Sequence, residues 1–248
     1  MDLTPLGSAA EVLVATGHDP FARSSLRRPA LRGWLIEGAT AWLGVDPEEG
    51  IGYLSALGEP ARVGDLVGRL LPELPPRQRI TVPRGTPAHL PSWVGMAGTD
   101  WDFRWLSTAP DLQAGEEQIE PLAGDDEIKA LLVEASPTAS VQPGDAAVRR
   151  WVGVRDGRGD LVACAADTSA ATGVGHLSSI AVGPAARGQG LGRAVTAALT
   201  RTLLREGSDL VTLGMYATNS VARAVYDALG FADDHRFTSG PLQVRGRW

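Results

Sequence analysis

Apolar positions recur along this chain with two periods, and the switches between them mark the elements. In the first 115 residues, 33–43 and 51–57 read as strands. Val63, Leu66, Val67, Leu70 and Leu71 then follow helical spacing, which shares one face, until Pro72 stops it. Residues 79–82 are a brief strand. Trp101, Phe103 and Trp105 alternate with Asp102 and Arg104, so a strand there puts three aromatics on one face.

The second half is more regular. Residues 117–122 read as a strand, and 125–134 as a helix whose first turn, Asp125, Asp126 and Glu127, suits the positive end of the helix dipole. Strands 151–155 and 161–166 are joined by Asp-Gly-Arg-Gly-Asp, which is hairpin chemistry, and 175–182 is a third strand. After a glycine-rich turn, Leu191, Ala194, Val195, Ala198, Leu199, Thr202 and Leu203 line one face of a strong amphipathic helix that Gly207 ends. A strand at 210–216, a helix at 220–229 stopped by Gly230, and strands at 231–237 and 241–244 would complete the sheet. Strands alternating with helices give the class α/β. The polar stretch 107–117 reads as a linker, so the expected domains are 1–115 and 116–248.

Composition narrows the function. With 44% hydrophobic and 21% charged residues the chain is of ordinary globular make-up, which excludes disorder and fibres. Its net charge of −6 argues against a nucleic-acid binder, and no apolar run approaches the roughly 20 residues that span a bilayer. The lone Cys164, in the run Leu-Val-Ala-Cys-Ala-Ala, excludes a disulfide framework and a cysteine-built metal site, and reads as a small buried hydrophobe. No basic segment precedes the first apolar stretch, so a secretory leader is not expected and the cytoplasm is. No histidine and carboxylate spacing suggests a metal.

The candidate chemistry lies in Leu-Ser-Ser-Ile-Ala-Val-Gly-Pro-Ala-Ala-Arg-Gly-Gln-Gly-Leu-Gly-Arg-Ala, residues 177–194. A strand runs into a loop with Gly188, Gly190 and Gly192, and a long helix follows directly. Such a turn leaves several backbone N–H groups unpaired beside the positive helix terminus, which makes a phosphate site. It is not a Walker A loop, because the only lysine is Lys129, far upstream. Nor is it the dinucleotide fingerprint, because Arg193 stands where the third glycine belongs.

Arg187-Gly188-Gln189-Gly190-Leu191-Gly192 resembles the Gln/Arg-x-x-Gly-x-Gly/Ala signature of the GNAT superfamily of N-acetyltransferases. Further on, Asn219 to Phe231 (Asn-Ser-Val-Ala-Arg-Ala-Val-Tyr-Asp-Ala-Leu-Gly-Phe) is similar to that family's second motif, and the likeness covers 116–248. It implies a GNAT fold, with a central mixed, twisted sheet flanked by helices. It also implies acetyl-CoA as acyl donor, held at the pyrophosphate by Arg187, Gly188, Gln189, Gly190, Leu191, Gly192 and Arg193. Ile180, Ala181 and Val182 would splay from the neighbouring strand and pair with the pantetheine arm. Tyr226 would protonate the departing thiolate, and Asn219 would bind coenzyme or order a water. Each has a plainer role: Tyr226 as packing, Asn219 as a helix N-cap, Arg193 as a solvated side chain.

The general base is left open. Strand 175–182 holds no carboxylate, and His176, Asp167, Asp233, Asp234, His235 and a water relay are the candidates. The stretch 53–71 runs strand, turn, helix without the glycine loop, which looks like a degenerate GNAT copy and would make the chain pseudo-tandem; an unrelated recognition segment is the alternative. The expected function is acetyl transfer to a primary amine of a small molecule or peptide. The competing reading is a non-catalytic acyl-CoA sensor. No metal, nucleic acid or membrane partner is expected, and a homodimer is left open.

Overall fold

A computed structural model describes residues 2–26, 31–46, 50–171 and 173–244. They fall into two compact units: Met1–Phe103 with Tyr216–Thr218 and Asp234–Trp248, and Arg104–Met215 with Asn219–Asp233.

The first unit contains β1 (Thr4–Leu6), α1 (Ala9–Ala15), α2 (Pro20–Ser25), β2 (Arg32–Ile36), β3 (Ala39–Val45), β4 (Gly52–Gly58), α3 (Pro60–Leu70), β5 (Gln78–Pro83), β6 (Val94–Met96) and most of β7 (Thr99–Leu106). Residues 33–43, expected as one strand, are a hairpin. Ile36 pairs with Ala39, and Gly38 at φ +83° supplies the left-handed residue that a two-residue turn needs. Strand β4 then pairs in parallel with β5 from Gly52↔Gln78 to Ser55↔Thr81. Helix α3 makes that crossover, with Pro60 in its first turn and Val63, Leu66, Val67 and Leu70 buried against Trp34, Leu54, Ile80 and Val82.

The second unit repeats this order. It contains β8 (Glu120–Leu122), α4 (Asp125–Ala135), β9 (Arg150–Arg155), β10 (Leu161–Asp167), β11 (Val174–Val182), α5 (Leu191–Arg205), most of β12 (Leu210–Tyr216) and α6 (Ser220–Ala228). Strands β8 to β11 pair antiparallel in sequence, β11 and β12 pair in parallel, and α5 makes the crossover between them. Val195, Leu199 and Leu203 of α5 pack on Leu177, Leu213 and Met215 of the sheet. Residues 116–118 are a single 3₁₀ turn after left-handed Gly115, so the strand expected at 117–122 is confined to β8.

Residues 231–237 and 241–244, expected as two strands of the second sheet, form one strand, β13 (Ala232–Val244). From Asp234 onward β13 belongs to the first unit, where Phe237 to Pro241 pair antiparallel with Pro83 to Arg79 of β5. Phe237 there packs on Phe21 and Trp101. The aromatics of β7 do share a face, but its other face is covered too. Asp102 is buried and paired with Arg84 at 2.6 Å, and Arg104, in the second unit, is buried as well.

Candidate functional site

The parallel ladder between β11 and β12 runs from Val174↔Leu210 to Leu177↔Leu213 and stops there. Both strands continue, to Val182 and Tyr216, so their carboxyl ends diverge, and among the described residues the β12-facing backbone groups of 178–182 have no strand partner on that side. Open α/β sheets bind ligands at this end. On its other edge β11 carries a bulge. Cys164 pairs with Ala181 and Ala166 with Ser178, so Ser179 and Ile180 oppose the single residue Ala165. Ser179 sits at φ +48°, a left-handed conformation that non-glycine residues seldom adopt. Cys164 is fully buried beside it, and burial pushes its thiol up to about 12, so the sulfur is inert at neutral pH.

The loop that follows ends at an uncapped helix. Gly190, at φ +81°, is the N-cap of α5, and with no side chain it leaves the first N–H groups of that helix without a cap. The first helical bond runs from Ala194 N–H to Gly190 O, and no acceptor among the described residues serves Leu191, Gly192 or Arg193 N–H. No acidic residue lies in the first turn. Gly188 and Gly190 both need positive φ, and the space where a Cβ would stand at either is open. Arg187 is exposed and donates to Val182 O (3.3 Å) and Ala135 O (3.4 Å), which holds the loop against the C-terminus of α4. Gln189 and Arg193 are exposed. Ile180, Val182 and Leu191 pack at the margin of one core cluster, and that cluster contains Tyr226.

Tyr226 is 6% exposed, with its ring 5.9 Å from Phe231. Burial pushes its hydroxyl up to about 12, against the opposing pull of the Arg104 charge. Arg104 reaches α6 beside it, donating to Asp227 at 2.5 Å and to Phe231 O at 3.4 Å, while its Nε is buried without a partner among the described residues. Asn219 takes the N-cap role, accepting from Ala222 N–H at 3.0 Å.

Four of the base candidates, Asp167, Asp233, Asp234 and His235, are engaged elsewhere, and His176 is held through Nδ1. Asp167 is buried and accepts from Arg150 Nε (3.0 Å) and from Ser169 N–H and Oγ–H (2.9 and 2.5 Å). His176 Nδ1 lies 2.8 Å from Thr212 Oγ1, and that hydroxyl donates to Gly175 O, so the ring nitrogen is the donor. Asp233 pairs with Arg104 and Arg223, each at 3.7 Å. Asp234 and His235 lie in the first unit, with His235 Nε2 2.7 Å from Asp19. Sequence reasoning missed the bulge at Ser179 and the burial of Arg104. Neither a non-glycine left-handed residue nor a covered strand face leaves a mark in one sequence.

Residues 151–238 match the family model described as FR47-like protein. A mycothiol acetyltransferase from Kocuria rhizophila is 39% identical over 85 residues, which is 34% of this chain; the chain spans about a quarter of that curated relative's length. A GNAT-family acetyltransferase structure from Novosphingobium aromaticivorans aligns with TM-score 0.53 at 20% identity, over 77% of this chain and 83% of its own. A GCN5-related N-acetyltransferase from Sphaerobacter thermophilus aligns at 0.55 and 15% identity, over 99% of this chain and 97% of its own. At such identities these structures speak for the fold, and the second of them for the fold of both halves.

Proposed function

We propose that this chain is an acetyltransferase of the GNAT superfamily, a reading supported by the FR47-like match over residues 151–238 and by the fold, and that it transfers an acetyl group from acetyl-CoA to a primary amine of a small molecule or peptide. One observation carries the reading: the β11–β12 ladder opens beside an uncapped helix N-terminus with two left-handed glycines in front of it. The amides at 188–193 would take the coenzyme pyrophosphate, where the helix dipole favours negative charge. The free backbone groups of 180–182 would pair with the pantetheine arm, and one N–H would polarise the thioester carbonyl. A comparable donor elsewhere lowers the barrier by about 2.7–4 kcal/mol. An amine held beside that carbonyl attacks directly, with much of the acceleration from proximity. The amine proton would leave through a water relay or to His176, whose Nδ1–H donation makes Nε2 the ring's acceptor.

Tyr226 would face the departing sulfur. With its hydroxyl near 12 it stays protonated at neutral pH. A free thiol ionises near 8.5, so the phenol would stabilise the leaving sulfur first by hydrogen bonding. As the phenol passes its proton to the sulfur, the proton that the attacking amine sheds would restore it, so that the step balances and no anion is left buried. Acetyl as the transferred group is supported by the curated relative, which is named an acetyltransferase.

The test is calorimetric titration of the full chain with acetyl-CoA and, separately, NAD, followed by release of coenzyme thiol across a panel of primary amines. Micromolar acetyl-CoA binding with no NAD binding is expected. Replacing Tyr226 by Phe should lower kcat by about 10²–10⁴-fold, the usual span for a general acid, with coenzyme affinity unchanged. Absence of binding to acetyl-CoA and longer acyl-CoAs would overturn the proposal. Binding without turnover on any amine would favour the acyl-CoA sensor.

A further inference from the structure

Two non-glycine residues have positive φ among those described, and one of them, Ser179, lies in the bulge of β11 where the strands diverge. Strain of this kind persists only where its surroundings over-determine it, and here the determinant is visible. Ser179 Oγ donates to Val141 O at 2.8 Å and accepts from Val141 N–H at 3.1 Å. One hydroxyl thereby satisfies both backbone groups of a residue 38 positions away. Val141 is half-buried, and with Ala139 and Val148 it packs against the cluster formed by α4, Trp151, Cys164 and Ala181.

The partner segment is itself unusual. Residues 136–149, between α4 and β9, hold no helix or strand, and connections of that length without structure of their own are uncommon in compact domains. Besides the Ser179 pair, the segment is stitched by short-range bonds such as Ala139 N–H to Ser136 O and Val148 N–H to Asp145 O. Its middle is thus tied to the sheet at the bulge. The residue at the bulge comes directly before Ile180, the first of the backbone groups that the reading above assigns to the donor.

We propose that Ser179 is a positioning residue whose hydroxyl couples the 136–149 segment to the donor-facing backbone of β11. Donor held at 180–182 fixes the bulge, the fixed bulge holds Val141, and the segment orders when the gap is filled. By reciprocity, an ordered segment tightens donor binding. The proposal rests on the acetyl-CoA reading of the same gap.

Hydrogen exchange of the full chain, followed at Val141 N–H and across 136–149 with and without acetyl-CoA, tests it. Two variants accompany it: Ser179→Ala loses the hydroxyl and keeps the backbone strain, whereas Ser179→Gly loses the hydroxyl and relieves the strain. In the wild type, saturating acetyl-CoA should slow exchange at Val141 severalfold. In both variants Val141 should exchange fast with or without ligand, and the Kd for acetyl-CoA should rise about two- to twelvefold, the span of one neutral hydrogen bond. Unchanged affinity and ligand-induced protection in either variant would overturn the coupling. If Ser179→Gly behaved as wild type while Ser179→Ala did not, the backbone conformation and not the hydroxyl would be responsible. If the wild type bound no acetyl-CoA, the functional reading would fall, and faster Val141 exchange in ligand-free Ser179→Ala would still report whether the tether exists.

Discussion

The backbone of Gly190 offers a way to separate what a residue does for the fold from what it does for a ligand. It lies at φ +81°, and nothing stands within 4 Å of where its Cβ would be. Replacing it by Ala therefore meets no clash, and the penalty is the left-handed conformation alone, about 1–2 kcal/mol. Gly207, after the other end of α5, is the matched control: φ is +98° and its Cβ would also meet open space. Ala there should lower stability by a similar amount, read as the shift of a urea denaturation midpoint at constant slope.

Ligand affinity should divide the two. A methyl at Gly190 projects beside the unpaired N–H groups of the α5 terminus, where pyrophosphate oxygens would stand. Loss of one hydrogen bond to a charged group is worth about 1.5–3 kcal/mol, so acetyl-CoA should bind about 10- to 150-fold more weakly by calorimetry. At Gly207 the affinity should be untouched. An affinity for Gly190→Ala within about twofold of wild type, a span too small for a lost charged hydrogen bond, would refute the assignment of the loop. An equal loss at both sites would instead mean that binding tracks general stability.

Three further expectations follow from local chemistry. Thr200 is fully buried on α5 with no partner for its hydroxyl among the described residues, so Thr200→Val, of the same shape, should stabilise the protein by about 1 kcal/mol in urea unfolding; destabilisation would mean that the hydroxyl is satisfied. His235 is pulled down by burial but raised further by the hydrogen bond and charge of Asp19 and by Asp234, so its net shift is upward. A raised folded value gives stability that is complete below the unfolded value of about 6.5 and is lost as pH rises through the folded one. Asp19→Asn, which keeps an oxygen to cap α2, should flatten that decline in unfolding free energy and lower the His235 titration midpoint seen by NMR. Glu127 is held below the ordinary carboxylate range by its hydrogen bonds to Arg155. It should therefore add stability above about pH 4.5 that fades as pH falls, and Arg155→Gln should reduce that acid sensitivity in pH-dependent unfolding.

How much of this was legible depends on where each constraint lies. Helices α5 and α6 and strand β12 were readable because each is a local pattern with a local stop: apolar spacing ended by Gly207, a strand run, and Asn219 opening what Gly230 closes. The hairpin at Gly38 was missed because Glu37-Gly38 is a weak turn signal between two apolar runs. Helix α1 carried a signal that went unused. Ser8 accepts from Glu11 N–H and Glu11 accepts from Gly7 N–H, which is close to the reciprocal spacing of a capping box. The destination of β13 is of another kind. Its alternation says that it is a strand, but which neighbour it pairs with is decided by Phe237 packing on Phe21 and Trp101, far away in sequence. Of the candidate site, the glycine loop was readable and the bulge that re-aims β11 was not.

The repeated element order raises the question of why the chain would have one donor site and not two. In the first unit the β4–β5 ladder also stops after four pairs, at Ser55↔Thr81, while β4 runs on to Gly58, as β11 does beyond Leu177. The two copies part company at the next residues. After β11 comes a glycine-rich loop before the helix; after β4, which ends at Gly58, Glu59 alone stands before α3 begins at Pro60. Pro60 lacks an N–H, and Glu59 sets a carboxylate at the helix entrance, where it would repel a phosphate. A Cβ at Gly58 would stand 2.2 Å from Gly38 O, so this backbone is packed and not open. Acetyl-CoA should therefore titrate with one site per chain by calorimetry. Replacing Glu59 by Gly should not create a second site, because the missing amide and the closed turn remain. A stoichiometry of two would mean that the first unit binds the coenzyme by other means and that the opening of a parallel ladder, without an anion-binding loop, is sufficient.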